Sequence, residues 1–369
     1  MTTTSQPSGL HILIVGAGFA GLSAAIECTC KGHRVTLFEK VCSIDEITRY
    51  GDIISFDPNG SRVFEKWVYP DKSSVAEKNG GNFSTDGLVG FVSLPGKRGA
   101  TSVDVGVRVV EYFESDGDEK KGPQAGVMEK VMGDAVLAAE GVRSRGRKLV
   151  LGLEEDEQPK SSGYAVYRAW FPSEPVIAKN PVTKHVVENG DQQKGYIGPD
   201  IHFLVSSIKG GSEIKWVFTH IDDGNIEESW QFPGKPEEAL AYLEGWCPVV
   251  RELVKATPPG RLIDYKLVYR EPLPTFVSPK GRIALIGDAA HPFLPTSIQG
   301  ASQSIEDGTV VAAGNMSKEQ VMPTALKTYE KLRWHKADWN GPEGVWKVPE
   351  KLWLLREEWL LGFDAEGDT

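Results

Sequence analysis

Three glycines and a carboxylate near the start of the chain have the spacing of a site for a phosphorylated ligand. Gly16, Gly18 and Gly21 form the pattern Gly-x-Gly-x-x-Gly, and Glu39 follows at the usual distance. In this pattern Gly16 permits a tight turn, Gly18 lets the backbone approach a pyrophosphate, and Gly21 lets a helix pack closely on a strand. Glu39 would accept hydrogen bonds from ribose hydroxyl groups. The pattern therefore predicts a dinucleotide site.

A second carboxylate, Asp288, stands with Gly287 at the end of the short apolar run 282–286, which we interpret as a buried strand. A carboxylate at a strand end suits a ribose or ribityl hydroxyl group. A strand, loop and helix without any ligand would give the same pattern, and this alternative stays open.

A helix is predicted to follow this loop. Thr296 or Ser297 can cap it, and Ala301 and Ile305 fall on one of its faces. The first residues of such a helix, which include Gly300, offer free N–H groups and a positive potential to an anionic ring edge.

The elements that must position the glycines and Glu39 follow from apolar periodicity. Residues 10–15 are predicted to form a strand, residues 22–27 a helix, and residues 33–38 a second strand. The glycines thus lie in the strand–turn–helix–strand setting that a dinucleotide site requires. That setting does not separate FAD from NAD, because both place a pyrophosphate at the end of a helix.

The segment 281–308 resembles the second FAD-binding motif of the class A flavoprotein aromatic hydroxylases, the salicylate-hydroxylase-like group. Residues 136–145 resemble the Asp-Gly motif of that family, with Glu140 where aspartate is usual, and residues 49–60 resemble a loop that passes near the flavin. The resemblance implies an α/β fold. It would comprise a Rossmann-like FAD-binding domain of the glutathione-reductase type, an inserted β-sheet substrate domain and C-terminal helices.

The expected domain order follows from this resemblance and from strand-like alternation in 164–171, 201–208 and 213–220. We expect four segments: the first part of the FAD-binding domain at 1–160, the substrate-binding sheet domain at 161–273, the second part of the FAD-binding domain at 274–333, and a Trp-rich C-terminal tail at 334–369.

The resemblance also implies an activity, that of an FAD-dependent monooxygenase hydroxylating a small phenolic or aromatic compound, with a role in secondary metabolism left open. NADPH or NADH would reduce FAD, and O2 would then give a flavin C4a-hydroperoxide that transfers a hydroxyl group. The expected cofactor contacts are Gly16, Gly18, Gly21, Glu39, Lys40, Gly51, Gly287, Asp288, Gly300 and Ala301.

Arg168 is the candidate catalytic residue. The sequence Tyr167-Arg168-Ala169 matches a family motif whose arginine faces the substrate pocket, so Arg168 would orient or ionise the phenol. An arginine paired with a surface acid would give the same sequence, and this alternative stays open. The basic loop 143–148 is similarly ambiguous, because it could serve a phosphate-rich ligand or simply be solvated.

Two parts of the family pattern have no counterpart in this sequence. The family has a long helix after an arginine, whereas here Arg98 is followed almost directly by the strand-like residues 103–113. A helix predicted at 323–333 ends at Trp334, where family members continue. These gaps favour, as one alternative, an FAD-binding homologue with impaired turnover. Another alternative is an NAD(P)-linked dehydrogenase, which gives the motif around Asp288 no role.

Composition limits the remaining classes of function. The 369 residues carry a net charge of −10, which disfavours nucleic acid and an anionic membrane surface as partners. The first nine residues lack a secretory signal, and no run is apolar enough to span a membrane. The four cysteines and seven histidines show no metal spacing. We therefore expect a cytoplasmic protein without a metal, and its oligomeric state stays open.

Overall fold

The computed structural model describes the following residues: 9–42, 54, 56, 58–68, 101–114, 130–155, 157–222, 232–293, 299–313 and 322–338. The chain divides into two compact units. The first unit combines Met1–Pro159 with Arg270–Thr369, and the second unit is Lys160–Tyr269. The second unit is therefore inserted into the sequence of the first.

Ten strands and eight helices lie in the described part of the chain. The strands are β1 (His11–Val15), β2 (Arg34–Glu39), β3 (Thr101–Val105), β4 (Ala135–Ala138), β5 (Lys160–Pro172), β6 (Gln192–Gly198), β7 (Ile201–Ile208), β8 (Glu213–Ile221), β9 (Leu262–Tyr269) and β10 (Ile283–Leu285). The helices are α1 (Phe19–Cys30), α2 (Pro58–Val68), α3 (Gly146–Leu151), α4 (Val176–Lys179), α5 (Pro236–Tyr242), α6 (Pro248–Lys255), α7 (Gly300–Ala313) and α8 (Met322–Asp338). Short 3-10 turns occupy Lys184–Val186 and Gly287–Ala289.

The first unit contains a parallel sheet with the strand order β10-β4-β1-β2-β3. Every neighbouring pair in it is parallel. The central strands β1 and β4 are mostly apolar and buried on both faces, as parallel strands covered by helices must be.

The carboxyl ends of three of these strands bring the predicted binding groups to one edge of the sheet. Strand β1 runs into the glycine pattern, β2 ends at Glu39, and β10 is followed by Gly287 and Asp288. Because parallel strands end at a common edge, both sequence motifs meet there.

Helices α1 and α7 cross at very short range beside this sheet. A Cβ on Gly308 would lie 2.1 Å from the Ser23 Oγ and 2.5 Å from the backbone nitrogen of Ala24. A Cβ on Gly60, in α2, would lie 2.8 Å from the Cα of Ser302 in α7. Helix α7 is buried along nearly its whole length, so it is the central helix of the first unit.

The second unit is an antiparallel sheet with the strand order β6-β7-β8-β5-β9. Alternate residues such as Tyr167, Ala169 and Trp216 pack with α5 and α6 in one apolar core. Residues between them, such as Val166 and Tyr265, form a smaller cluster on the opposite face. This alternation is expected for an antiparallel sheet with two different faces.

The strand predicted at 103–113 is shorter than expected. It ends at Val105, because Gly106 adopts a left-handed backbone conformation (φ +73°) that does not continue a strand. The segment around Arg98, where a family helix was expected to be missing, lies outside the described residues.

The predicted helical segments also differ in their ends. The stretch 237–256 contains two helices, α5 and α6, separated around Gly245 (φ +78°) and Pro248. The expectation that the last helix ends at Arg333 was wrong. It continues to Asp338, because no glycine or proline interrupts the intervening residues.

The predicted α/β fold class is confirmed. The structure combines a parallel, Rossmann-like sheet with a separate antiparallel sheet inserted in sequence, and helices α7 and α8 follow the insertion.

Candidate functional site

The turn after β1 leaves no room for side chains at two of its glycines. A Cβ on Gly16 would lie 2.4 Å from the carbonyl oxygen of Ala139, and a Cβ on Gly21 would lie 1.9 Å from the carbonyl oxygen of Gly16. Gly16 also has φ +102°, which residues with a side chain rarely adopt. The turn itself therefore requires both glycines.

Gly18 is different, because the protein alone gives no reason for a glycine there. Its backbone has φ −75° and ψ −175°, which any residue can adopt, and a Cβ would meet nothing within 4 Å. It precedes α1, whose first turn has no acidic residue and no side-chain cap. The first N–H groups of α1 have no partner within the helix, and the space beside Gly18 is open, which suits the binding of an anion.

Glu39, at the end of β2, is held in place by the backbone. Its Oε2 accepts a hydrogen bond from Ala17 N at 2.7 Å, and its Oε1 accepts one from Val41 N at 2.9 Å. Each carboxylate oxygen can accept a further hydrogen bond, so Glu39 keeps capacity for hydroxyl groups of a ligand. Lys40 follows it with an exposed side chain.

The second motif packs directly on the helix of the first. Gly287 has φ +60°, and a Cβ there would lie 2.7 Å from the Cβ of Ala20 in α1 and 3.0 Å from the Ser304 Oγ in α7. A Cβ on Gly300 would lie 3.9 Å from Oδ1 of Asp288. The structure therefore brings the Asp288 turn, the first residues of α7 and helix α1 together.

Asp288 has the surroundings of a ligand-binding carboxylate. Its side chain is exposed to solvent, although many protein atoms surround it, as they do around a group in an open cleft. Burial raises its pKa above the ordinary value of 3.8, the Asp307 charge acts in the same direction, and His291 opposes them. Among the described residues, no group donates a hydrogen bond to the Asp288 carboxylate.

A buried hydrogen-bond network lies directly beneath this turn. Asp307 Oδ2 accepts hydrogen bonds from Gly287 N at 2.7 Å and from His291 Nε2 at 2.6 Å. Its Oδ1 accepts one from Arg333 Nε at 2.5 Å. Burial alone would raise the pKa of Asp307, but the His291 and Arg333 charges and the hydrogen bonds lower it to about 2.

Arg333, on α8, connects this network to the rest of α7. It donates to Glu306, and its Nη2 donates to Oε1 of Gln303 at 2.6 Å. Glu306 Oε1 also accepts a hydrogen bond from Asn59 Nδ2 at 2.8 Å. Sequence reasoning missed these residues. The available signal was the pair of acids, Glu306 and Asp307, inside a helix whose other residues are predominantly uncharged.

Glu140, expected to belong to a cofactor motif, caps the start of helix α3. Its Oε2 accepts hydrogen bonds from Ser144 Oγ at 2.8 Å and from Arg145 N at 3.1 Å. Two side chains of the adjoining basic loop also have internal partners. Arg145 donates to the Val110 carbonyl at 3.2 Å, and Arg147 donates to the Ala289 carbonyl at 2.9 Å.

Arg168 belongs to the second unit and lies in β5. It is 6 % exposed, and its guanidinium carbon lies 5.7 Å from the centre of the Tyr265 ring. Its neighbour Tyr167 packs with the helices, so Arg168 lies on the opposite face of the sheet. Arg168 is therefore buried, and the predicted role in the substrate site stays a prediction.

Three of the residues named from the sequence cannot be placed. Gly51 lies outside the described residues, as do the expected helix caps Thr296 and Ser297. Helix α7 begins at Gly300, so the residue before it is Gln299.

Comparison with known proteins identifies the family. Residues 14–65 match the model of an NAD(P)-binding Rossmann-like domain. The chain is 32% identical to "Asperlicin C monooxygenase" of Petromyces alliaceus over 423 positions, covering 99% of this chain and 88% of that protein. It is also 32% identical to "FAD-dependent monooxygenase nanF" of Aspergillus nanangensis, covering 99% and 89%. The chain belongs to the class A FAD-dependent monooxygenases.

A solved structure supports the same assignment. The crystal structure of CtdE in complex with FAD is 27% identical, with a TM-score of 0.78, and the match covers 97% of this chain and 96% of CtdE. The chain is thus an FAD-dependent monooxygenase of the fungal secondary-metabolism type. These relatives give no support to the NAD(P)-linked dehydrogenase considered from the sequence.

This monooxygenase lacks internal positions that its relatives have. The alignment with the Petromyces alliaceus protein runs over 423 positions, more than the 369 residues of this chain, so at least 54 positions have no counterpart here. The resemblance had indicated such missing segments.

The residues of the site fit FAD. Gly18 leaves space for a pyrophosphate at the N-terminus of α1, Glu39 retains acceptor capacity, and the exposed Asp288 carboxylate can accept a hydroxyl hydrogen bond. Within the described residues, no cluster of His, Cys, Asp and Glu could hold a metal ion, and no helix is long and apolar enough to cross a membrane.

Proposed function

We propose that the chain hydroxylates a small phenolic or aromatic compound, with NADPH or NADH as reductant and O2 as the source of oxygen. The observation that carries the proposal is the packing of the Gly287 turn against Ala20, which joins two FAD motifs into one site. FAD bound there would accept electrons from the nicotinamide and activate O2 for hydroxylation.

The chain's own residues would bind and orient FAD. Gly18 and the N-terminus of α1 would receive the pyrophosphate. Glu39, beside Lys40, would accept the adenosine ribose hydroxyls, and Asp288 would accept a ribityl hydroxyl. The N-terminus of α7, at Gly300 and Ala301, would stabilise negative charge on the reduced ring. The family resemblance adds a contact from Gly51.

We propose that the inserted segment, expected at 161–273, holds the substrate. Arg168 would orient the phenol and favour its ionised form, since a nearby cation lowers the pKa of an acid. Its buried position beside the Tyr265 ring supports this role, because an aromatic and cationic surface suits an electron-rich ring.

The visible absorption spectrum of the purified protein tests this function. We expect flavin bands that bleach when NADPH is added without oxygen and return when O2 is admitted. With a set of phenolic compounds and isotopically labelled O2, one labelled oxygen atom should enter the product. A protein that binds flavin but never consumes NADPH would contradict the proposal.

The Arg168→Ala variant tests the substrate half of the proposal. We expect normal flavin content and a large loss of product formation, because the cation that orients the phenol is gone. Arg251→Ala is the control, since Arg251 lies on α6 in the same unit and donates to the Leu243 carbonyl at the end of α5. Unchanged turnover of phenols by Arg168→Ala would remove Arg168 from the substrate site.

A second candidate is an FAD-binding homologue with impaired turnover. The specific observation in its favour is the absence of at least 54 positions that the Petromyces alliaceus relative has. Product formed per NADPH consumed separates the two candidates. A ratio near one supports the efficient enzyme, whereas NADPH consumption that yields mainly hydrogen peroxide supports the impaired homologue.

A further inference from the structure

We propose that Asp307 is a positioning residue for the FAD site, fixing the turn that presents Asp288 to the cofactor. This inference rests on the FAD site proposed above. It concerns a residue that contacts neither the cofactor nor the substrate in that proposal, and it predicts a separable effect on FAD affinity.

The geometry of the hydrogen bonds carries the proposal. One oxygen of Asp307, Oδ2, accepts from Gly287 N at 2.7 Å and from His291 Nε2 at 2.6 Å. These two donors stand at the two ends of the turn 287–291, and Asp288 lies between them. A single carboxylate oxygen therefore links the two ends of the turn.

Other contacts also hold the backbone of the turn, such as the bond from Arg147 Nη1 to the Ala289 carbonyl at 2.9 Å, but among the described residues only Asp307 links Gly287 N to the His291 ring. Gly287 holds a left-handed conformation (φ +60°), and the turn's own backbone bonds run from Ala290 N and His291 N to the Gly287 carbonyl at 2.9 and 3.0 Å. The Asp288 side chain itself receives no hydrogen bond from the described residues. Its direction consequently depends on the backbone that Asp307 holds.

Arg333 fixes the other oxygen of Asp307. The bond from Arg333 Nε to Oδ1 measures 2.5 Å, and both side chains are fully buried. Arg333 also pairs with Glu306, which accepts from Asn59 rather than from the turn. The two neighbouring acids thus share one arginine, but only Asp307 contacts the Asp288 turn.

The hydrogen bonding of His291 agrees with this arrangement. Its ring is buried, Nε2 points to Asp307, and Nδ1 has no hydrogen-bond partner among the described residues. The Asp307 carboxylate oxygen can only accept, so Nε2 carries the proton of this hydrogen bond. His291 is thus a donor to Asp307.

A purely structural role is a weaker explanation. Replacing buried ion pairs by apolar groups is frequently neutral or stabilising, so stability alone does not account for two acids and an arginine inside one helix pair. The network is better explained if it holds the turn 287–291 in one defined geometry.

The matched variants Asp307→Asn and Glu306→Gln test the proposal in the full-length apoprotein, by titration with FAD and by thermal unfolding. Both substitutions remove one buried charge beside Arg333, so both should lower the unfolding temperature. Only Asp307→Asn should also weaken FAD binding, by roughly 10- to 100-fold, the range expected when charged hydrogen bonds are lost. Equal FAD affinities of the two folded variants would overturn the proposal.

His291 supplies a second test if Asp307→Asn does not fold. His291→Phe removes the donor while keeping a ring, and it should weaken FAD binding. His291→Gln places an N–H near the position of Nε2 and should restore most of the affinity. The absence of any difference between Phe and Gln would contradict the proposal.

The Asp288→Ala variant distinguishes a failure of this inference from a failure of the proposed function. If Asp288→Ala leaves FAD affinity unchanged, the placement of the cofactor is wrong. If Asp288→Ala weakens binding but Asp307→Asn does so no more than Glu306→Gln, only the positioning role fails.

Discussion

Two aspartates within one motif, Asp288 and Asp307, have their pKa values moved in opposite directions. Asp288, desolvated without a hydrogen-bond donor among the described residues, has a raised pKa, whereas Asp307, paired with His291 and Arg333, has a pKa of about 2. Divergent pKa values in neighbouring acids indicate different roles. We propose that Asp307 holds the turn 287–291 in place and that Asp288 binds the ligand.

Asp288→Ala should weaken FAD binding without destabilising the apoprotein. A hydrogen bond to a charged acceptor contributes about 1.5–3 kcal/mol, which corresponds to roughly 10- to 100-fold in affinity. The apoprotein loses only an exposed carboxylate that accepts no hydrogen bond from the described residues. Titration with FAD and thermal unfolding measure the two effects, with the exposed acid Asp104 changed to Ala as control. Wild-type affinity would remove Asp288 from the site.

The pairing of Asp307 with His291 and Arg333 should make the free energy of unfolding depend on pH. Its pKa in the folded protein is depressed from 3.8 to about 2, so the stabilisation is complete above about pH 4 and is lost as the pH falls towards 2. At about 1.4 kcal/mol per unit, the loss amounts to roughly 2 kcal/mol. Denaturant unfolding between pH 5 and pH 2 should show a steeper decline for the wild type than for Asp307→Asn. Parallel curves would contradict the pairing.

Single residues were predictable from the sequence where a local pattern sets their role. Gly16 and Gly21 are required by a turn that the spacing of the glycines predicts. The role of Asp307 was not predictable, because its partner Arg333 is 26 residues away and on another helix. Glu140 shows a further limit, since its capping of α3 depends on a local fold that the family motif does not describe.

Among the elements, α1 and α7 carry the two motifs, and their close crossing keeps the two motifs next to each other. The crossing depends on Gly308, where the backbone of α7 meets α1 at Ser23 and Ala24. Glycine at a crossing of this kind permits a helix separation that no larger residue allows.

Gly308→Ala should therefore destabilise the protein and weaken FAD binding together. A Cβ would lie 2.1 Å from the Ser23 Oγ and 2.5 Å from Ala24 N, and overpacking of this kind costs about 1–3 kcal/mol. Adding Ser23→Ala should recover only part of the loss, because the contact with the Ala24 backbone remains. Thermal unfolding of the single and double variants tests this, and an undisturbed Gly308→Ala protein would contradict the observed crossing.

Elements were predicted best where apolar periodicity is long, as in β7, whose bounds match the expected 201–208. They were predicted less well where a single residue ends an element. Gly106 ends β3 early and Gly245 separates α5 from α6, because each takes a positive φ. A glycine in the sequence does not reveal which conformation the surrounding structure will impose on it.

For the whole molecule, the sequence and its family resemblance predicted the Rossmann-like domain, an inserted β-sheet and the FAD-dependent monooxygenase family. The fold and family were accessible because two ordered motifs, the glycine pattern with Glu39 and the segment around Asp288, follow strands of one parallel sheet. The substrate was not accessible, since specificity depends on side chains brought together from distant strands.

Titration of the wild-type and Gly18→Ala apoproteins with FAD tests the central claim, that the glycine turn and the Asp288 turn form one FAD site. In the protein alone Gly18 faces open space, so Gly18→Ala should leave the unfolding temperature unchanged. A methyl group at the expected pyrophosphate position should nevertheless cost about 1–3 kcal/mol, or roughly 5- to 150-fold in FAD affinity. No FAD binding by the wild-type chain, or equal affinity of the two proteins, would contradict the claim.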